Sequence, residues 1–94
     1  MRVLVRKRVK GVGSHPLVGA PRGTILIDSR VRKGKRRKAV IFHEKIEYAG
    51  MRGGLSYKKA HRKATTAERK VFFPIKRDWK KHNKMIMRIH RSGK

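Results

Sequence analysis

The chain has 94 residues, and 29 lysines and arginines against 5 acidic residues leave a formal net charge of +24. It is 36% charged and 37% hydrophobic, where an average globular domain is about 25% charged and 45–50% apolar; such a surface repels itself and calls for a polyanionic partner. The length allows one small domain with tails, the absence of cysteine excludes disulfides, thiolate zinc sites and a cysteine nucleophile, and no apolar run approaches the roughly 20 residues of a membrane span.

In chain order, the first half reads as strands and the second as helices. Val3-Leu4-Val5, with Val9, is a short β-prone run flanked by Arg2, Arg6, Lys7, Arg8 and Lys10. This start offers no secretory signal, while the acid-free stretch before Asp28 suits either a mitochondrial targeting segment or an acid-poor chain in general. Gly11, Gly13, Ser14, Pro16, Gly19, Pro21 and Gly23 then make a loop that bends more than once. Thr24-Ile25-Leu26-Ile27 is a β-branched strand ended by Asp28-Ser29. A basic turn around Gly34 leads to Ala39-Val40-Ile41-Phe42, expected as the next strand, with residues 43–48 extending it as an alternating edge. The expected fold class is α+β. Residues 1–49 form a small antiparallel three-stranded sheet whose core is Val5, Ile25, Ile27, Val40 and Phe42.

Gly50, Gly53 and Gly54 mark a change of architecture, and residues 50–94 are expected as a basic helical extension. Ser56 caps a predicted helix over residues 57–70, with Ala60, Ala64 and Ala67 as a thin small-residue seam. Pro74 separates it from a second helix, in which Ile75, Trp79, His82, Ile86 and Ile89 fall on one stripe. Asp78 near its start and Arg88, His90 and Arg91 near its end suit the helix dipole. Trp79, Ile86 and Ile89 are expected to face a partner surface, and Ser92-Gly93-Lys94 to form a loose tail.

The search for catalytic chemistry is mostly negative. Glu44 and Glu47 lie among His43 and Lys45 without a pocket-forming context, and read as local salt partners rather than as a paired acid and base. His15, His43, His61, His82 and His90 include no i, i+4 pair of histidines and match no zinc spacing. Gly11-Val12-Gly13 lacks the third glycine of a dinucleotide loop, and Gly34-Lys35 is followed by Arg36 where a phosphate loop needs Ser or Thr. No enzyme activity, metal or cofactor is expected.

The cations carry the stronger signal. Arg30, Arg32, Lys33, Lys35, Arg36, Arg37 and Lys38 surround one glycine, and phosphates would supply the counter-charge while releasing condensed ions. Lys58, Lys59, Arg62, Lys63, Arg69 and Lys70 repeat the theme on the first helix, and Lys76, Arg77, Lys80, Lys81, Lys84 and Arg88 on the second. Together with Arg6, Lys7 and Arg8, basic residues on several sides favour embedding in structured RNA over a DNA reader with one basic face. Phe42 and Trp79 read as core, whereas Tyr57 suits base stacking and packing about equally.

Val3-Leu4-Val5-Arg6, and later Arg37-Lys38-Ala39-Val40-Ile41-Phe42-His43-Glu44-Lys45-Ile46, are similar to the first and last strands of the bacterial-type large-subunit ribosomal protein thirty-three family. The family's Tyr-Asp-Pro turn is absent, and the chain after Tyr48 has no counterpart. The resemblance implies a small β-sheet protein on the large subunit near the tRNA exit site, and the basic extension implies an organellar version, mitochondrial by preference. The expected function is therefore that of a structural rRNA-binding constituent of a mitochondrial ribosome. Its partners would be rRNA and neighbouring ribosomal proteins, with no membrane and no small-molecule substrate, and its extended segments would order on RNA. A DNA-compacting protein is the alternative, since residues 33–38 also pass as a nuclear-localisation patch. A membrane-active peptide would need a broad apolar helix face, which residues 57–70 lack.

Overall fold

The structure is a computed structural model that describes residues 1–9 and 11–92. Strands β1 (Arg2–Arg6), β2 (Gly13–Ser14) and β3 (Thr24–Asp28) precede helices α1 (Lys35–Arg52), α2 (Tyr57–Phe72) and α3 (Lys76–Ser92). The α+β class is as expected, but the sheet is mixed rather than antiparallel. β3 is central; β1 runs parallel to it, with Arg2 opposite Thr24 and Arg6 opposite Asp28, and β2 pairs antiparallel on its other side, with Gly13 opposite Ile27. A parallel pair needs a crossover of a dozen or more residues. The Gly- and Pro-rich stretch between β1 and β3 is that crossover, and β2 forms within it.

The larger correction concerns residues 39–48, expected as a strand with an alternating edge. They lie inside α1, whose buried residues are Ala39, Val40, His43, Glu44 and Glu47. That spacing of i, i+1, i+4, i+5, i+8 is helical. An apolar run as short as 39–42 cannot be told from a buried helix by period alone, and the buried positions that follow it are polar, so they read as solvent-facing. The segment that carries the ribosomal resemblance is thus a helix where a closing strand was expected. The expected division between residues 49 and 50 likewise falls inside α1.

Gly34 starts α1 without a side-chain cap, and the first turn holds Lys35, Arg36, Arg37 and Lys38, where the helix dipole disfavours cations. Arg37 finds compensation by donating to the carbonyls of Val31 (2.8 Å) and Ser29 (3.3 Å). Lys35 sits 5.1 Å from the centre of the Phe73 ring. At the other end, α1 and α2 approach closely at Gly50. A Cβ there would lie 3.2 Å from that of Ala60, which is fully buried, as is Ala64. Ala60 and Ala64 of the expected seam therefore belong to the buried face of α2, whereas Ala67 is half-buried and borders a shallow groove on the other side. Ser56 caps α2 as expected, its hydroxyl accepting from the Lys59 amide at 3.3 Å.

The core comprises Ile25, Ile27, Val31, Val40 and Ile89, with Val3, Val12, Ile41, Met85 and Ile86 packed around it. Ile25, Ile27 and Val40 are where the sequence places them. Val5 is exposed, and Phe42 is half-buried, edge-on to Phe72. Ile89, expected to face a partner, closes the core from α3, while Trp79 and Ile86 are half-buried. Ser92 ends α3, and the rest of the expected tail, Gly93 and Lys94, lies outside the described residues.

Asp28 ends β3 fully buried. Its carboxylate accepts from the amides of Val9 (3.1 Å) and Arg30 (2.9 Å) and from the Arg30 guanidinium (2.8 Å). Burial pushes this carboxyl up, but the Arg30 donors, with Val9, outweigh burial and hold it below the ordinary value. A depressed carboxylate pKa contributes stability that is complete above the unfolded value and fades as pH falls through the folded one. Asp28→Ala should cost about 1–3 kcal/mol in chemical denaturation at neutral pH. The gap between variant and wild type should begin to narrow as pH falls below about 4, the unfolded value, and continue to shrink toward the lower folded one.

Candidate metal centre

The chain has 5 acidic residues and 5 histidines. Glu44, Glu47 and Glu68 are all buried, and His15, His43, His61 and His82 meet Glu47 or Glu68. His43 and Glu47, one turn apart on α1, share a helix face, and His61 reaches them from α2. His43 Nε2 lies 3.1 Å from Glu47 Oε2 and 3.2 Å from His61 Nδ1; His61 Nδ1 lies 2.8 Å from the same carboxylate oxygen. Donor atoms bound tetrahedrally to zinc at about 2.0–2.1 Å stand about 3.3 Å apart. The triangle is close to that size. Three acceptor atoms so placed need either shared protons or a cation between them.

Surrounding groups fix which lone pairs face inward. His43 Nδ1 lies 2.8 Å from Glu68 Oε1 and donates to it, so once His43 gives up its second proton the lone pair is on Nε2, facing the triangle. The other oxygen of Glu68 accepts from His82 Nε2 (2.6 Å). On the opposite arm, the Leu17 amide donates to His15 Nδ1 (3.3 Å). The ring proton of a neutral His15 then sits on Nε2, which donates to Glu47 Oε1 (3.1 Å). His15, Glu44 and Glu47 are also close enough together to suit an ion, but a protonated Nε2 makes His15 a support for Glu47 and not a ligand.

Glu44 points to the same region from the position after His43. Its Oε2 is buried with no hydrogen-bond partner among the described residues. Burial, and then the adjacent Glu47 charge, push its carboxyl up to about 8. Burial would also raise Glu47, yet hydrogen bonds from His43, His61 and His15 hold it at about 2. Burial works against a charged His43, and Glu47 and Glu68 overcome it, raising that imidazole to about 9. Glu68 is lowered in the same way by His43 and His82, against its own burial.

The β2 backbone passes so close to Glu44 that a Cβ at Gly13 would lie 2.9 Å from Oε1. Any side chain there would push the Glu44 carboxyl out of its place. Gly13, Val12, Tyr57, Trp79 and Met87, with the triangle itself, line a cleft of about 320 Å³. Tyr57 stacks on His61 with ring centres 5.5 Å apart; burial, with the charges of Glu47 and Glu44, pushes its hydroxyl pKa up. The sequence alone offers no pocket-forming context for Glu44 and Glu47. The structure supplies one, and their neighbours in it are histidines.

The residues expected to touch RNA do not line this cleft. Arg6, Lys7, Arg8, Arg32, Lys33, Lys35, Lys38, Lys58, Lys59, Arg62, Lys63, Lys80 and Lys81 are exposed, whereas Arg36 and Arg37 are half-buried. Part of the 30–38 run serves the fold itself: Arg30 pairs with Asp28, Arg37 with two carbonyls and Lys35 with Phe73. The centre did leave a signal in the sequence. His43-Glu44-Lys45-Ile46-Glu47 has the spacing of the helical H-E-x-x-H zinc motif, with a carboxylate in the second ligand position. Comparing histidines only with one another passes over it, and reading the segment as a strand removes the shared helix face.

No protein-family model, curated protein or solved structure matches the chain. The geometry gives a direct expectation of its own. Protein stripped with a chelator should bind one zinc ion per chain in calorimetry. His61→Ala and Glu47→Gln should each weaken binding at least about 100-fold, and Glu68→Gln by about 10–100-fold, through the orientation of His43.

Proposed function

We propose that this protein is a metal-dependent hydrolase acting on peptide bonds. The observation that carries the reading is the convergence of His43 Nε2, Glu47 Oε2 and His61 Nδ1 on one point beside the unpartnered Glu44 carboxyl. Two imidazoles and one carboxylate, open on the fourth side, are a catalytic zinc donor set. Bound there, zinc would supply Lewis acidity toward water and a substrate carbonyl. Glu44 stands where it can take a proton from the attacking water and pass it to the departing amine. Tyr57, stacked on His61 at the cleft, brings a hydroxyl donor to the side where negative charge develops.

The cleft also favours a polypeptide as substrate. β2 is an edge strand, paired among the described residues with β3 alone, and residues Gly11, Val12 and Gly13 border the cleft. An extended peptide can add to such an edge through main-chain hydrogen bonds. A structural role in a mitochondrial ribosome accounts for the surface charge, and histidine partners give Glu47 and Glu68 a structural task, but it gives the buried Glu44 carboxyl none. The hydrolase reading gives Glu44 one.

Zinc-loaded protein should cleave fluorogenic peptides, and chelation should stop it. Glu44→Gln should keep its zinc while kcat/KM falls by about 10²–10⁴. Zinc-loaded wild type that leaves a diverse peptide set intact would sink the reading, as would full activity in Glu44→Gln.

A further inference from the structure

The outward face of α2 forms a surface separate from the cleft, and we infer that it docks structured RNA through the phosphate backbone of a duplex. Lys59, Arg62, Lys63, Thr66 and Lys70 line one shallow groove there. Their spacing of i, i+3, i+4, i+7, i+11 makes a single helical stripe, and all of them are exposed. The other side of the helix is occupied: Ala60, Ala64 and Glu68 are buried, and Tyr57, His61 and Thr65 face the cleft.

The stripe is cationic without internal compensation. Glu68, the acid of α2, lies on the buried side, and among the described residues no salt bridge involves Lys59, Arg62, Lys63 or Lys70. A nucleic-acid backbone offers a regular row of counter-charges, and released counterions drive the contact. The stripe has no aromatic ring on which a single-stranded base would stack, and no Asn or Gln to read a base edge. Contact with the backbone of a duplex is what its chemistry suits. Exposed cations near the strands, Arg6, Arg32 and Lys33 among them, fit a chain lying between RNA segments better than one resting on a single face of DNA. An anionic membrane would ask the same helix for a broad outward apolar face, whereas the groove is lined by Lys, Arg and Thr with Ala67, and Val71 is exposed beyond it.

The test uses the full chain and a labelled RNA hairpin with a duplex stem, followed by fluorescence anisotropy across a salt series. Lys59→Glu/Arg62→Glu/Lys63→Glu should weaken binding by about tenfold or more, and should lower the slope of log affinity against log salt by about 2–3. Lys80→Glu/Lys81→Glu/Lys84→Glu changes the net charge equally on α3 and should cost clearly less. In wild type, RNA should shield Lys59, Lys63 and Lys70 from acetylation more than Lys80 and Lys84, a readout that needs no variant to fold. Equal losses in the two triple variants, or uniform acetylation, would overturn the inference in favour of diffuse charge attraction. Equal affinity for the matching DNA duplex, or binding to phosphatidylserine vesicles in preference to RNA, would overturn it in favour of another partner.

Discussion

Paired burial of carboxylates and imidazoles is the interaction on which the rest of this fold depends. His15 comes from the crossover before β3, His43 and Glu47 from α1, His61 and Glu68 from α2 and His82 from α3. Taking a charged group out of water costs several kcal/mol unless its partners arrive with it. Glu47 has partners from three of these segments and Glu68 from two, so each carboxylate is satisfied only when the segments have met. The apolar core is modest, five buried residues with Val31 and Ile89 joining the sheet to the helices. The polar cluster is what specifies how the helices are arranged over that core.

The same arrangement sorts the chain's charges by depth. Four of the 5 acids are buried, and only Asp78, in the first turn of α3, is not. The 29 lysines and arginines are thereby left with almost no anionic neighbours at the surface. α2 shows the division within one helix: imidazole and carboxylate on its inner side, ammonium and guanidinium on its outer side. A site for chemistry and a surface for a polyanion can therefore coexist without competing for side chains.

What was legible in the sequence follows from which signals are local. Ser56, the alanine seam and the Ile75–Ile89 spacing identified α2 and α3, because capping and period are properties of one segment. β1 and β3 were legible as β-branched runs, but not their parallel pairing, which depends on how the Gly11–Gly23 stretch folds back. α1 was misread because its buried face is built mostly of ionisable residues. Patterns of hydrophobicity treat such residues as solvent-facing, and the partners that α2 and the crossover bring to His43 and Glu47 cannot be read from α1 alone. The candidate metal centre was hidden for the same reason, since a mixed histidine–carboxylate set becomes visible only once His43 and Glu47 share a helix face and α2 brings His61 to them.

The contact from the Leu17 amide to His15 reaches further than its size suggests. That main-chain N–H decides which imidazole nitrogen holds hydrogen, and so whether Glu47 meets a proton or a bare lone pair at its outer oxygen. The deciding group belongs to the peptide backbone and is common to every residue but proline. The loop at 15–17 can therefore change its side chain at position 17 freely while preserving the electronic character of a carboxylate two segments away. For this part of the molecule, the shape of the chain is the functional property.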